Sequence, residues 1–237
     1  MIFINCIEFV TKFTNFIFII YHLIMKQKLL GLLDWIYKKR CYFCKSSKES
    51  VRMCSECFDK LTFAPVTTNR IINGVNILCA GNYSKELQKL IRGIKYHKQK
   101  DLAYYQAKFM YEYWQKFNFS GDFQIVPVPL HEKRRKKRKY NHMELVAQEF
   151  CNLSGYECNF DLIKRVKETK PQYKLSKKQR AENLHKAFKV NPDKNLGKKV
   201  LIIDDICTTG STFEEMIGEF KKNNIYDIIC FATATPF

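Results

Sequence analysis

Between Val200 and Thr212 the chain reads VLIIDDICTTGST, and this run constrains the fold more than any other. Residues 199–204 read as a strand whose four successive apolar residues, 200–203, are buried on both faces, as in a parallel sheet covered by helices on either side. Two adjacent carboxylates, Asp204 and Asp205, follow where that strand emerges. The TTGST segment then turns the chain into a helix over Ser211–Lys222, with Phe213, Met216, Ile217 and Phe220 on its inward stripe. In open α/β sheets, ligands bind beyond the carboxyl ends of the strands.

The same alternation runs through residues 70–237. Residues 77–83 read as a strand, and 85–97 as a helix with Leu87, Leu90, Ile91 and Ile94 on one face. Residues 101–117 continue as an aromatic-rich helix, and 123–128 form a short apolar strand ending in Pro127-Val128-Pro129. Asn141 caps a helix that reaches about residue 153, with Glu144 at the capping-box position. Residues 225–232 make a last strand. Strands alternating with helices predict an α/β fold built on a parallel sheet.

The turn after the acidic pair has the chemistry of an anion site. Gly210 permits backbone angles closed to other residues, successive amide hydrogens form a nest, and a helix N-terminus favours phosphate. Thr208, Thr209, Gly210, Ser211 and Thr212 are the candidate phosphate ligands. Asp204 and Asp205, one sugar away, can accept hydrogen bonds from vicinal ribose hydroxyls or support a hydrated Mg²⁺. A bare Asp-Asp pair is ordinarily a solvated strand end. The thirteen positions together resemble the phosphoribosyl-diphosphate (PRPP) signature of type I phosphoribosyltransferases.

Ten cysteines are present. Cys41, Cys44, Cys54 and Cys57 form two Cys-x-x-Cys pairs separated by nine residues. Two such knuckles complete a closed tetrahedral thiolate set, the pattern of a structural zinc site. The alternatives are coincidental pairs or redox dithiols, and the latter normally occur singly ahead of a thioredoxin-like helix. The other six are scattered through a chain that is neither short nor Cys-dense, so a reducing cytoplasm suits it better than a secreted disulfide scaffold.

Residues 1–24 are rich in Ile and Phe but interrupted by Glu8, Lys12 and Asn15. The longest uncharged apolar stretch, 13–25, has thirteen residues, short of the about 20 a spanning helix needs. Stable membrane insertion is not expected. Met25 opens an amphipathic helix, which suggests translation from Met25, with 1–24 an upstream extension or an extra apolar helix. The domains expected are therefore 25–66, a helix plus zinc module, and 67–237, the α/β body.

Further segments narrow the resemblance. A four-Cys module followed by Tyr83-x3-Leu87-x2-Leu90-Ile91-x2-Ile94-Lys95 resembles the ComF family, associated with DNA uptake in natural competence. Residues 126–131, VPVPLH, are similar to its second motif. Arg165, Thr169, Pro171, Gln172, Leu175, Arg180, Asn183, Ala187 and Phe188 are similar to its third, and 204–212 closes the set. Where the family usually reads Arg-Gly-Phe-Asn-Gln, this chain has Arg138-Lys139-Tyr140-Asn141-His142. Arg138 and Asn141 are carried over; the lost glycine puts a tight backbone contact to phosphate in doubt. The resemblance implies a type I phosphoribosyltransferase fold with a small zinc module, PRPP as ligand and Mg²⁺ as its companion.

The charge is the unusual part of the composition. Forty-one Lys and Arg against twenty-three Asp and Glu give +18, which points to phosphate-bearing partners. Seven of those charges sit in residues 133–139, KRRKKRK. A charge run is usually a solvated face. This one follows the strand after which phosphoribosyltransferases place their pyrophosphate-binding loop, so Lys133, Arg134, Arg135, Lys136, Lys137 and Arg138 are candidate contacts to pyrophosphate or a nucleic-acid backbone. Asn141, Arg165, Gln172 and Arg180 join them. Tyr96, Tyr104, Tyr105, Tyr111, Tyr113 and Trp114 can stack on single strands, although their helical spacing puts most in a core. His97, His131 and His185 lack metal-ligand spacing.

Three functions follow from the resemblance. The first is a PRPP-binding protein acting in uptake of transforming DNA, contacting the single strand and other competence proteins such as a helicase. The second is a metabolic phosphoribosyltransferase, in which a nitrogenous base or amine displaces pyrophosphate with catalytic help from Asp204, Asp205 and Mg²⁺. The third is a PRPP sensor without chemistry. A zinc module and +18 are surplus to a salvage enzyme and favour nucleic acid.

Overall fold

The computed structural model describes residues 38–66, 69–168, 179 and 183–236. The 1–24 extension, the helix expected from Met25, and Thr169, Pro171, Gln172, Leu175 and Arg180 lie outside the described residues. The chain divides into two compact units, Met1–Cys54 and Ser55–Phe237.

In the first unit the described stretch is turns. Cys41 N–H donates to Ser46 O at 2.8 Å and Tyr42 N–H to Arg52 O at 2.7 Å, which folds the two cysteine knuckles together. In the second, a short helix α1 (Ser55–Phe58) carries Cys57. Strands β1 (Arg70–Ile72) and β2 (Val75–Asn82) then form a hairpin, followed by α2 (Lys85–Tyr96) and α3 (Leu102–Trp114). Next come β3 (Phe123–Pro127), α4 (Glu132–Arg138), α5 (His142–Ser154), and the short strands β4 (Glu157–Cys158), β5 (Ile163–Arg165) and β6 (Phe188–Val190). The last elements are β7 (Lys199–Ile206), α6 (Ser211–Lys222) and β8 (Ile228–Thr235).

Six strands make one sheet in the order β1-β2-β8-β7-β3-β4. Every pair in it is parallel except β1–β2, which caps one edge. β5 and β6 form a separate antiparallel pair. The sheet is the expected α/β core. One side is packed by the aromatic cluster of Tyr113, Trp114, Phe123, Phe150 and Phe231. The other is packed by Phe213, Met216, Ile217 and Phe220 of α6, all at most 1% exposed. β3 and β7 are neighbours, with Pro127 opposite Ile203, so the segments leaving both strands open at the same end of the sheet.

Three boundaries differ from the sequence reading. β8 starts at Ile228 rather than 225, because Ile225 N–H still closes the α6 terminus on Phe220 O at 3.1 Å. β7 runs to Ile206 rather than ending at 204, so Asp205 as well as Asp204 lies in the strand. The basic run is a helix, α4, rather than a loop: His131 caps it by accepting from Lys133 N–H at 3.4 Å, and Lys136 pairs with Glu132 one turn back at 2.9 Å. Two of the scattered cysteines, Cys151 on α5 and Cys158 on β4, are neighbours, with Cα atoms 6.2 Å apart.

No described helix is long and apolar enough to cross a membrane.

Candidate functional site

The β7–α6 turn is built by three restraints. Gly210 sits at φ +84°, and a Cβ there would fall 2.3 Å from Ile72 Cδ1. Arg70 Nη2, from β1, donates to Thr208 O at 2.9 Å and to Cys207 O at 3.3 Å, which ties two carbonyls of the turn to the edge hairpin. Thr209 Oγ1 and Ser211 Oγ are 2.8 Å apart. The result is a small concavity lined by Asp204 and residues 206–213, with α6 beginning at its floor. All five candidate phosphate ligands, Thr208 to Thr212, line it.

The two carboxylates part company. Successive strand residues face opposite sides of a sheet, and here Asp204 lines the concavity while Asp205 turns to the α2/α5 side. Asp204 Oδ1 accepts Asp205 N–H at 2.8 Å. Burial and the neighbouring Asp205 charge hold the Asp204 carboxyl well above the usual carboxylate range. Asp205, 6% exposed, meets the Lys95 ammonium and the His142 ring. Burial alone would raise its pKa; the Lys95 charge and the His142 hydrogen bond outweigh that and depress it. Lys95 is lowered by burial and raised more by Asp205. His142 is brought down to about 4 by burial, against the pull of Asp205, and is therefore neutral near pH 7.

Lys95, Arg70 and His142 are the site residues that sequence reasoning did not single out. Lys95 follows the buried α2 stripe of Leu87, Leu90, Ile91 and Ile94, four residues after Ile91, and so sits at its rim. Its position in the first family motif was the available signal. His142 is the first residue of α5 after the Asn141 cap, beside a strand end.

The basic helix is largely paired within the chain. Lys133 reaches Glu168 at 2.5 Å, Arg135 reaches Glu144 at 3.1 Å and Lys136 reaches Glu132 at 2.9 Å. Arg138 lies 3.0 Å from His142 Nδ1 and 5.3 Å from the centre of the Tyr96 ring. Arg134 is half-buried and close enough to Arg165 that its charge, after burial, helps bring that guanidinium down to about 10. Arg165 also feels Asp204. The backbone of Lys137 belongs to α4. Asn141 is buried and structural: it accepts from Met143 N–H at 3.1 Å and donates to Val128 O at 3.1 Å. Lys139, in the place of the family's glycine, keeps a left-handed backbone at φ +67°. Of the aromatic candidates, Tyr113 and Trp114 are core, whereas Tyr96 and Tyr104 are exposed at 58% and 41%.

Under the turn, Cys207 lies against Cys79 and 3.2 Å from Arg70 Nη2. The Cys79 hydrogen bond and the guanidinium bring the Cys207 thiol down to about 7 in spite of its burial.

The sulfurs of Cys41, Cys44, Cys54 and Cys57 all lie within 4.8 Å of one another. Cys44 and Cys54 Sγ are 3.6 Å apart; a tetrahedron with Zn–S near 2.3 Å has edges of about 3.8 Å. Cys41 Sγ accepts amide N–H groups from Phe43 at 3.4 Å and Cys54 at 3.5 Å. Burial pushes the Cys41 thiol up, but these amides and that of Cys44 bring it down to about 6. Soft thiolates, amide-stabilised and gathered at tetrahedral spacing, suit zinc.

Comparison with known proteins agrees with this geometry. Residues 143–236 match the family described as phosphoribosyl transferase domain. Competence protein F of Haemophilus influenzae is 27% identical over 198 residues, covering 79% of this chain and 86% of that protein. DNA utilization protein YhgH of Salmonella typhimurium is 25% identical over 192 residues, covering 77% and 84%. Competence protein ComFC of Streptococcus pneumoniae is 28% identical over 128 residues, covering 53% of each.

Proposed function

The chain is a member of the ComF family with a phosphoribosyltransferase domain, and from that premise we propose that it binds PRPP with Mg²⁺ and contacts single-stranded DNA during DNA uptake. The observation that carries this reading is the β7–α6 turn: Gly210 in a left-handed conformation, carbonyls tied to the edge hairpin by Arg70, and hydroxyls at the start of a twelve-residue helix. That arrangement suits a sugar 5′-phosphate. Asp204 stands beside it for the ribose, and Arg165, which feels the charges of both Asp204 and Arg134, is the candidate for the diphosphate. Asp204 and Asp205 offer the hard oxygens that hydrated Mg²⁺ prefers. When bound, Mg²⁺ balances the diphosphate charge.

Residues 25–66 we assign as the zinc-bearing module, with one structural zinc on Cys41, Cys44, Cys54 and Cys57, and 67–237 as the PRPP-binding domain. The names Competence protein F and DNA utilization protein support a DNA-linked role. The cytoplasm is the compartment we assign. A transfer reaction is the second reading, favoured by the Arg165 guanidinium, which feels Asp204, since a cation there stabilises a departing diphosphate.

Titrating purified protein with PRPP–Mg²⁺ and with a single-stranded oligonucleotide tests the first reading. Saturable binding of both is expected. Failure to bind PRPP overturns it, and pyrophosphate release on adding one of a panel of bases establishes the second reading instead.

A further inference from the structure

Four side chains meet in a chain of contacts on the α2/α5 side of the β7 end: Lys95 on α2, Asp205 on β7, His142 on α5 and Arg138 at the end of α4. Their chemistry admits one proton arrangement. A guanidinium has donors and no acceptor, so His142 Nδ1, 3.0 Å from Arg138 Nη1, is the accepting nitrogen. Nε2 therefore carries the ring proton and donates it to Asp205 Oδ2. Lys95 donates to the same oxygen. His142 and Asp205 are 4% and 6% exposed, so the pairing is made inside the protein.

The consequence falls on Asp205. The carboxylate torsion of an aspartate is broad, and one donor would leave the group free to swing. Two donors on Oδ2, from helices on different segments of chain, fix the plane. Both donors engage Oδ2 and neither engages Oδ1. Resting on the PRPP reading above, we propose that His142 is a positioning residue of the sugar site, holding Asp205 by Nε2–H in a tautomer that Arg138 sets. It links the last cation of the basic helix to the acidic pair. A side chain that accepts from Arg138 and donates to Asp205 can replace it; an apolar one of similar volume cannot.

The test uses full-length protein in two measurements. Long-range ¹H–¹⁵N correlation on ¹⁵N-histidine-labelled protein reads the tautomer. His142 is expected with its proton on Nε2 in the parent, and with the Nδ1–H form populated in Arg138→Leu, where the donor to Nδ1 is gone. PRPP–Mg²⁺ titration is then expected to show at least tenfold weaker binding in His142→Leu, with His142→Gln recovering most of the loss. Gln offers a carbonyl to Arg138 and an amide N–H to Asp205. A parent proton on Nδ1, or parental PRPP affinity in His142→Leu, overturns the proposal. Should His142→Leu fail to fold, the tautomer in the parent and in Arg138→Leu still decides. An Nε2–H tautomer in a parent that binds no PRPP upholds the Arg138–His142–Asp205 arrangement and overturns the function proposed above.

Discussion

Ile72 Cδ1 stands 2.3 Å from the point where a Cβ on Gly210 would lie, so the edge hairpin and the β7–α6 turn share space, and any larger residue at 210 must push the end of the Ile72 side chain aside. The left-handed backbone at Gly210 is a second, independent constraint, which for an L-residue costs roughly 1–2 kcal/mol. Gly210→Ala is expected to lose about 2 kcal/mol of stability by denaturant unfolding and to weaken PRPP–Mg²⁺ binding at least tenfold. Adding Ile72→Ala should relieve the steric part and leave the backbone part. Parental stability in the single variant would remove the argument.

Asp204 and Asp205 are expected to fail differently when neutralised. Asp205→Asn takes the carboxylate from Lys95, whose side chain is 17% exposed; breaking a fully buried pair from one side costs about 3–5 kcal/mol and this partly exposed one less, so the variant should be clearly destabilised. Asp204→Asn should fold. Its carboxyl has a folded pKa raised above the unfolded value, so ionisation opposes folding, and stability falls as pH rises from about 4 through the folded pKa. Asp204→Asn removes that loss. It should melt above the parent at pH 7.5, with the difference shrinking toward pH 4.5, while PRPP binding is abolished. A difference that grows on acidification would reverse the assignment. Asp205 has the opposite sign: its contribution is present above about pH 4 and is lost as pH falls through its depressed folded pKa.

How much of this was legible in the sequence depends on range. The strand–turn–helix over 199–222 is local, and its apolar run, glycine and amphipathic stripe mark it from end to end. The β1–β2 hairpin carried the Asn73-Gly74 signal for a two-residue turn. Its first strand is three residues with Ile71 70% exposed, too short for alternation to show. β5 and β6 pair Ile163 with Val190, and three-residue strands that far apart have no periodicity to read. In 132–138, uniform charge hides any helical stripe, although Glu, Lys and Arg all favour helix. The partition of Asp204 from Asp205 follows from the strand period alone, once β7 is extended to Ile206. The partners of Asp205 do not, because Lys95 and His142 come from segments far off in sequence.

For the cysteine cluster, elemental analysis of protein purified without chelator should give about one zinc per chain. Cys54→Ser, at a buried ligand, should abolish retention, and Cys44→Ser, at the exposed one, should weaken it less. Zinc-free protein from a chelator-free preparation would end the assignment.

Lys139 ends α4 at φ +67°, where glycine is the residue of least strain. Lys139→Gly is expected to stabilise by about 1 kcal/mol, seen as a melting point higher by about 2–4 °C for a domain of this size. A lower melting point would show that the Lys139 side chain contributes more than its backbone costs.

The basic helix offers the last prediction, and the ion pairs set its size. Lys133, Arg135 and Lys136 are each matched to a carboxylate, on Glu168, Glu144 and Glu132, so an incoming phosphate must compete with a partner already in place. These pairs are exposed or partly so, and surface pairs contribute at most about 1 kcal/mol, which a polyanion can displace. Replacing Lys133, Arg134, Arg135, Lys136 and Lys137 by Gln should therefore weaken single-stranded DNA binding and flatten its salt dependence. Each phosphate of a single strand that the protein no longer neutralises reduces the log–log slope by about 0.7, so three such phosphates change it by roughly two units. PRPP affinity should fall much less, because its 5′-phosphate is assigned to Thr208–Thr212; the share of Arg134 beside Arg165 is the part that should be felt. A solvated helix face predicts no change in either ligand. A pyrophosphate-binding role predicts the reverse order, with PRPP hit hard and DNA spared. An unchanged salt slope in the five-site variant would remove nucleic acid from this helix and favour the transfer reading.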